Sequence, residues 1–400
     1  MIKLLIGGSP CTYWSIAQTK NRETEPSGMG WELFENYLIA IEKFKPDYFL
    51  YENNKSMSKE IRAEITKRFG FEPVCINSAL VSAQNRQRLY WCGKRNADGT
   101  YSKVEVEQPN DRGILLRDIL ESGVAFREKG YTLKAQYYKS SVACAVDGGH
   151  FPATMIAEPV RIGTVENDAK NQEFDSQQYR VYSPEGGGLG AKTGLHAVPT
   201  DCDVVVTLNN IRCQRRDKKH STVQGSHVSF VRSKSQTMSP SHVPQIIEPA
   251  IGKSFPIYEV KDGFITINGN KYAIKLKDGF YIIRKLTVTE CKRLQTVPDG
   301  YNFPVSDTQA YKMLGNGWTV DVIVHILYHF HGIAAEPIDV LSMYDGMACG
   351  HIALDKIGAT IKRYRATEID KYAIKTACHN YPDIVQLGDA FDIRKDNWHP

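Results

Sequence analysis

Leu4-Leu5-Ile6-Gly7-Gly8-Ser9-Pro10-Cys11 opens the chain with an apolar strand that stops at a glycine pair and ends on a proline-stiffened thiol. The glycines let the backbone turn where a Cβ would resist, and the proline fixes φ just before the cysteine. An open α/β sheet displays a reactive group in this way, at the carboxyl end of a strand. A lone thiol also packs well as a small apolar residue, so position 11 by itself leaves both readings open. The residues that follow favour the sheet. Leu33, Phe34, Tyr37, Leu38, Ile41 and Phe44 recur at helical spacing, Pro46 stops that helix, and Tyr48-Phe49-Leu50-Tyr51 reads as a buried strand ending at Glu52. Ser58 caps a second helix carrying Ile61, Ile65 and Phe69, which Gly70 closes. Two further strands are expected near 73–80 and 88–92, and the alternation predicts a mostly parallel sheet.

The texture changes at about residue 121. Helical periodicity fades, and Gly, Ser, Thr and short β-like runs dominate to 284, with hairpin-like stretches at 258–267 and 272–283. The alternation returns at 285, where Thr287 and Glu290 form a capping box. Three blocks follow: 1–120 and 285–400 as the two parts of one α/β domain, and 121–284 as a separate, mostly β and loop-rich domain.

The last block holds a βαβ unit. Val340-Leu341-Ser342-Met343 reads as a strand, the turn Tyr344-Asp345-Gly346-Met347-Ala348-Cys349-Gly350 leads into a helix ended by Gly358, and a second strand ends at Glu368. An acidic residue closing the second strand, about 20 residues past a glycine turn, is placed to hold a ribose by its hydroxyls. The turn is not GxGxxG, so a nucleoside without a pyrophosphate fits better than a dinucleotide, and S-adenosylmethionine (SAM) is such a ligand. Asp389, after the run Ile384–Leu387 and Gly388, is a second acid at the same edge and could accept an adenine amino group.

Composition excludes several classes. Hydrophobic residues make up 42% and charged residues 24%, ordinary for a globular chain with ample core. A net charge of +5 is too small to argue for a polyanionic partner without local clusters. The nine cysteines are scattered with none in a CxxC pair, which suits a reducing cytoplasm better than a disulfide framework. Cys202, Cys213, His220 and His227 match no common zinc spacing, so no metal is expected. No apolar run approaches the roughly 18 residues needed to span a membrane, and no signal peptide is read.

Taken together, the motifs resemble those of the DNA cytosine-5 methyltransferases, most of all the animal de novo enzymes and their bacteriophage relatives. Gly7–Cys11 resembles the nucleophile motif and Glu52-Asn53-Asn54 the Glu-Asn-Val motif, with Asn54 departing from the usual Val. Gln84-Asn85-Arg86-Gln87-Arg88 matches Gln-x-Arg-x-Arg. Arg284–Thr287 with Glu290, Arg293-Leu294-Gln295 and Pro298 resembles the ninth motif, and Leu314-Gly315-Asn316 with Trp318 the tenth. Ser342–Gly346, Ala366-Thr367-Glu368 and Gly388-Asp389 resemble the three SAM motifs. In the family the SAM motifs come first; here the nucleophile motif opens the chain and the third SAM motif closes it, so the order looks circularly permuted. The nucleophile strand is then expected beside strand 338–343 and parallel to it, with Met1 close to Pro400.

The resemblance implies a Rossmann-like methyltransferase sheet, mostly parallel and seven-stranded, with an inserted target-recognition domain at 121–284. It implies methyl transfer from SAM to carbon 5 of a flipped-out cytosine in double-stranded DNA. Cys11 would attack carbon 6, Glu52 would meet ring nitrogen 3, Arg88 would bind oxygen 2, and Arg86 would brace the site or meet phosphate. Cofactor contacts would come from Pro10, Asn316, Trp318, Tyr344, Asp345, Gly346, Gly350, Glu368, Ile369 and Asp389. DNA contacts would come from Gln84 and from the basic run Arg212, Arg215, Arg216, Lys218 and Lys219. The loop Thr12–Trp31 would close over the flipped base. A cytoplasmic monomer in a bacterium or phage-infected cell is expected. RNA cytosine-5 methylation and a non-catalytic DNA-binding role are the alternatives, the second disfavoured by the presence of Cys11, Glu52 and Arg88 together.

Overall fold

A computed structural model describes the chain apart from residues 11, 17–21, 147–151, 165–179, 183–201, 206–211, 214–222, 225–228, 233–255 and 399–400. In order, its elements are β1 (Ile2–Gly7), α1 (Met29–Phe44), β2 (Tyr48–Asn54), α2 (Lys59–Phe69), β3 (Val74–Asn77), β4 (Gln87–Arg95), β5 (Tyr101–Lys103) and the one-turn α3 (Ala143–Val146). There follow β6 (Met155–Pro159), β7 (Arg161–Thr164), β8 (Arg180–Tyr182), β9 (Cys202–Val205), β10 (Arg212–Cys213), β11 (Val223–Gln224) and β12 (Ser229–Arg232). Then come β13 (Ile257–Lys261), β14 (Phe264–Ile267), β15 (Asn270–Ala273) and β16 (Gly279–Lys285). The last part holds α4 (Val288–Leu294), α5 (Asp307–Asn316), α6 (Val320–Leu327), β17 (Ile338–Met343), α7 (Cys349–Lys356), β18 (Ile361–Thr367), α8 (Lys371–Asn380) and β19 (Val385–Gly388).

Two compact units result. The first is Met1–Glu121, Arg127–Thr154 and Lys285–Pro400; the second is Ser122–Phe126 and Met155–Arg284. The first unit carries one sheet in the order β19-β18-β17-β1-β2-β4-β3, with β5 paired to β4 as an eighth strand where seven were expected. The pairs from β19 to β2 are parallel, whereas β4 runs antiparallel to β2, β3 and β5. As the permuted motif order requires, β1 lies beside β17, in register from Ile2↔Ile338 to Gly7↔Met343. A short helix at Ala390–Arg394 packs along α1, with Arg394 Nε donating to Asn36 Oδ1 at 2.6 Å and Lys43 Nζ to the Lys395 carbonyl at 2.8 Å. Pro400 lies outside the described residues.

Alternate residues of the central strands feed opposite layers, as the period of two demands. Leu5, Phe49, Tyr51, Trp91, Leu341 and Met343 join Phe34, Tyr37, Ile61, Ile65 and Phe69 of α1 and α2 in one core. On the other face Ile6 reaches α7, and Tyr48 stacks on Phe330 at 4.9 Å. The helix ends follow the local signals: Ser58 Oγ accepts from Ile61 N, Gly70 is left-handed at φ 83°, and Thr287 and Glu290 close a reciprocal capping box.

The glycines that end β1 have a steric reason. A Cβ on Gly7 would stand 2.5 Å from the Met343 carbonyl oxygen, and one on Gly8 2.3 Å from the Glu52 carbonyl oxygen. Three strand ends can therefore converge only because these two residues lack side chains.

The second unit holds a five-stranded sheet, β15-β14-β13-β16-β6, and three two-stranded ribbons, β7–β8, β9–β12 and β10–β11. The sequence reading of 121–284 as one block differs from these units at Arg127–Thr154. That segment spends its polar groups on the loop before β4: Lys129 Nζ donates to the Ala79 and Ser82 carbonyls at 2.7 and 3.0 Å, and Gly130 N to Ala83 O at 2.6 Å. The expected lid also ends earlier than Trp31, since Met29–Trp31 form the first turn of α1. Trp14 in that loop is fully buried, its indole N–H donating to Glu23 at 3.1 Å.

Gly7→Ala is expected to lower unfolding stability by about 1–3 kcal/mol, because the new methyl meets backbone rather than a yielding side chain. Urea denaturation checks it; an unchanged midpoint would mean the ends of β1 and β17 can part without loss.

Candidate active site

The sheet order reverses between β17 and β1: β18 and β19 lie on one side, β2 on the other. Ligand crevices form at such a switch point, outside the carboxyl ends of the strands. The carboxyl ends of five strands bring Pro10, Glu52, Tyr344–Gly346, Glu368 and Asp389 to this edge.

On the β1–β2 side, the backbone that leads to residue 11 is pinned. Ser9 Oγ and Tyr51 OH share a hydrogen bond of 2.6 Å, and Asn53 Nδ2 donates to the Ser9 carbonyl at 3.1 Å. Asn53 also accepts from the N–H of Asn54, while Ser56 donates to Asn54 Oδ1, so the departure at position 54 is a satisfied buried polar group. Cys11 itself lies outside the described residues. Pro10 is exposed beside it in sequence.

Glu52 follows, nearly buried, with both oxygens engaged. Arg88 Nε pairs with Oε1 at 3.0 Å and Trp318 Nε1 donates to Oε2 at 3.0 Å. Trp318, expected as a cofactor contact, therefore also touches the carboxylate expected to act on the base, a link the sequence did not suggest. Arg86 is a brace rather than a substrate contact. It is 3% exposed, and its guanidinium donates to the carbonyls of Leu133, Gly315 and Gly317 at 2.9, 3.3 and 2.8 Å.

Gln84 corrects an expectation. The resemblance makes it a DNA contact, yet it is fully buried, with Nε2 donating to Leu294 O at 2.8 Å and Gln295 Oε1 at 2.7 Å. Its Oε1 accepts from Leu133 N at 3.1 Å. Both N–H donors of this buried side chain are spent on protein acceptors, and none of it is exposed to meet a nucleotide. Of the basic run, Arg212 lies on β10, whose backbone alone is described, and Arg215, Arg216, Lys218 and Lys219 lie outside the described residues.

On the β17–β18 side, the turn is held in the left-handed region at Tyr344 (φ 60°), Gly346 (φ 60°) and Ala348 (φ 59°). Two of the three carry side chains, a conformation retained only where surroundings enforce it. Glu368 does the enforcing. Its Oε2 accepts from Gly346 N at 2.8 Å, and its Oε1 from Ile369 N and Asp370 N at 2.7 and 2.8 Å. Of the roughly four acceptor positions of the carboxylate, three are filled in this way, and the one left on Oε2 is open to a hydroxyl. Beside it, Ile369 is 73% exposed, an apolar surface next to a polar clamp. Asp389 is exposed and caps the next turn through Phe391 N at 2.9 Å, and Asn316 is exposed at the end of α5.

Three expected cofactor residues are occupied otherwise. Tyr344 OH donates to the Leu33 carbonyl at 2.6 Å. Gly350 is buried where a Cβ would meet Ile6 at 2.2 Å, so its smallness serves helix–strand packing. Asp345 is 8% exposed, and its Oδ1 accepts from Ser342 Oγ at 2.6 Å and Tyr364 OH at 2.7 Å. Burial pushes its carboxyl up to about 6, against the opposing pull of those two hydroxyls. Cys349, next to the turn, is also buried, which pushes its thiol up to about 12 and leaves it inert at neutral pH. Among the described residues no group of side chains could hold a metal ion, and no helix is long and apolar enough to cross a membrane.

Two expectations follow. Gln84→Leu should cost roughly 1–3 kcal/mol of stability by stripping buried carbonyl partners, while leaving DNA affinity within about twofold; a selective loss of DNA affinity would restore the original reading. For Asp345 the folded carboxyl at about 6 lies above its unfolded value of about 3.9, so the folded state holds the proton more tightly and stability falls as pH rises from about 4 to about 6. Asp345→Asn should flatten that dependence, gaining up to about 3 kcal/mol relative to wild type at about pH 7.5 compared with about pH 4. Parallel urea titrations at the two pH values check it.

A family model for the C-5 cytosine-specific DNA methylases matches residues 1–331. The match ends just after α6, ahead of β17, β18 and β19. Among curated proteins, the type II methyltransferase M.FnuDI of Fusobacterium nucleatum is 22% identical over 330 residues, covering 80% of this chain and 73% of the relative. The orphan methyltransferase M.SPRI of Bacillus phage SPR is 23% identical over 370 residues, covering 81% of each. The type II methyltransferase M.HpaII of Haemophilus parainfluenzae is 23% identical over 339 residues, covering 80% of this chain and 69% of the relative. A sheet with its crevice at the switch point and a family match over most of its length lead to one conclusion: this chain belongs to the C-5 cytosine-specific DNA methylases and is a DNA cytosine-5 methyltransferase.

Proposed function

We propose that this site methylates carbon 5 of a cytosine flipped out of double-stranded DNA, through a covalent bond from Cys11 to carbon 6 and with SAM as methyl donor. The observation that carries the reading is the Glu52 carboxylate, held between Arg88 and Trp318 at the carboxyl end of the strand beside β1. Carbon 5 of cytosine is a poor nucleophile. Thiolate addition at carbon 6 makes it enamine-like; protonated Glu52 would donate its proton to nitrogen 3 as electron density moves there, and the Arg88 guanidinium would hydrogen-bond oxygen 2. Loss of the carbon 5 proton and departure of the thiolate then restore the ring.

SAM supplies an electrophilic methyl group. The residues that would hold it fit a nucleoside: Glu368 for the ribose hydroxyls, exposed Ile369 against the adenine and Asp389 for its amino group, with Asn316 and Trp318 as further contacts. Asp345 and Gly350 contribute by shaping the turn and its helix. Duplex DNA hides the target carbon, so the base must leave the stack at a cost of a few kcal/mol. The second unit would read the sequence around it, with Arg212, Arg215, Arg216, Lys218 and Lys219 on phosphates.

The test uses labelled SAM with duplex DNA and tRNA as separate substrates, and duplex DNA carrying 5-fluorocytosine as a trap. Wild type should label DNA and form an irreversible adduct with the trap, since fluorine blocks the final elimination. Cys11→Ser should lose at least roughly a thousandfold in transfer and form no adduct while still binding DNA. Labelling without an adduct would overturn the covalent route, and labelling of tRNA alone would overturn the substrate.

A further inference from the structure

We propose that Trp318 is a positioning residue for Glu52, so that the segment Gln84–Arg88 grips one carboxylate from two directions. The inference rests on the reading of Glu52 as the group that meets the cytosine ring. An indole has a single N–H donor, and that of Trp318 is committed to Glu52 Oε2 at 3.0 Å. Arg88 holds the other oxygen at 3.0 Å. Two donors on two different oxygens fix the plane of a carboxylate that one donor would leave free to rotate about its terminal torsion.

Trp318 is itself set by its backbone. Arg86 Nη2 donates to the carbonyls of Gly315 and Gly317, just before it, at 3.3 and 2.8 Å. Thr319, just after it, receives a hydrogen bond from Ser78 Oγ at 2.8 Å and donates to Gln295 Oε1 at 2.9 Å. The start of β4 and the residue that leads into it thus act on Glu52 twice: directly through Arg88, and through Arg86 by fixing the stretch that carries the indole. This accounts for a fully used, buried arginine two residues from one that faces the site. The Trp318 carbonyl in turn lies 4.0 Å from Cys349 Sγ, at the start of α7, so the stretch that carries the indole also borders the turn after β17.

Trp318→Phe tests this, because it keeps the ring and removes the donor. Single-turnover and steady-state methylation should show kcat lowered roughly ten- to a hundredfold, with the KM values for SAM and DNA changed by less than about twofold. In a Glu52→Ala background the same substitution should cost less than about twofold, since the group it positions is gone. A rise in the KM for SAM with kcat unchanged, or an equal loss in both backgrounds, would overturn the positioning role. Glu52→Ala turning over at the wild-type rate would instead overturn the reading of Glu52. If Trp318→Phe does not fold, Trp318→His, which keeps a ring N–H, and Trp318→Met, which has none, replace it; the loss is expected of the second, and equal loss from both would overturn the proposal.

Discussion

The parallel pairing of β1 with β17 is the contact on which the rest depends. It joins residues 2–7 to residues 338–343, nearly the whole chain apart in sequence. β18 and β19 reach the sheet only through β17, and β2, β4 and β3 only through β1. Without that ladder the halves carrying Glu52 and Glu368 would share no edge. Its entropic cost is smaller than the separation suggests, because loop closure grows only logarithmically with length. The apolar run Leu4-Leu5-Ile6 is fully buried, as is every residue of β17, and that burial more than offsets the closure. Such non-local pairing should make folding slow rather than unstable.

Carboxylates show how position along one sheet sets chemistry. Glu368 collects three backbone N–H groups and stays an acceptor that shapes a strained turn. Asp345 is buried with hydroxyl donors on one oxygen only, and its proton is held more tightly. Asp339, at the opposite end of β17, is fully buried too, yet hydrogen bonds and charge from Arg363 and Arg365 overcome the effect of burial and keep its carboxyl below the ordinary range. The end of the sheet with arginine pairs is built for stability. The end with the glycines and the left-handed turn leaves polar groups to spare, as a ligand site must.

The same contrast divides the arginines of β4 and its approach. Arg86 is spent on three carbonyls of segments that belong to no regular strand, whereas Arg88 keeps an edge toward the crevice. Loop carbonyls such as those of Leu133 and Gly317, and those in the last turn of a helix such as Gly315 in α5, lack a ladder partner and take donors from side chains instead. Gln84 serves the same end on the neighbouring carbonyl of Leu294.

The sequence by itself determined the alternation of strands and helices, the caps at Ser58 and Thr287, the glycine stops and the three acids at strand ends. All of these are short-range: side-chain period, capping chemistry and permitted φ depend on residues within a turn or two. It also carried enough motifs to place Glu52, Arg88 and Glu368 at one edge. Tertiary structure alone decided which polar residues face solvent. Gln84 and Arg86 sit in a segment that reads as a polar turn, and the carbonyls at 133, 294, 315 and 317, which come from distant parts of the chain, draw them inward. For the same reason Arg127–Thr154, without periodicity of its own, joined the unit whose open hydrogen bonds it could close. The bond between Trp318 and Glu52 links residues 266 apart, and no local pattern could announce it, because its partners meet only once the stretch before α6 packs against the loop that enters β4.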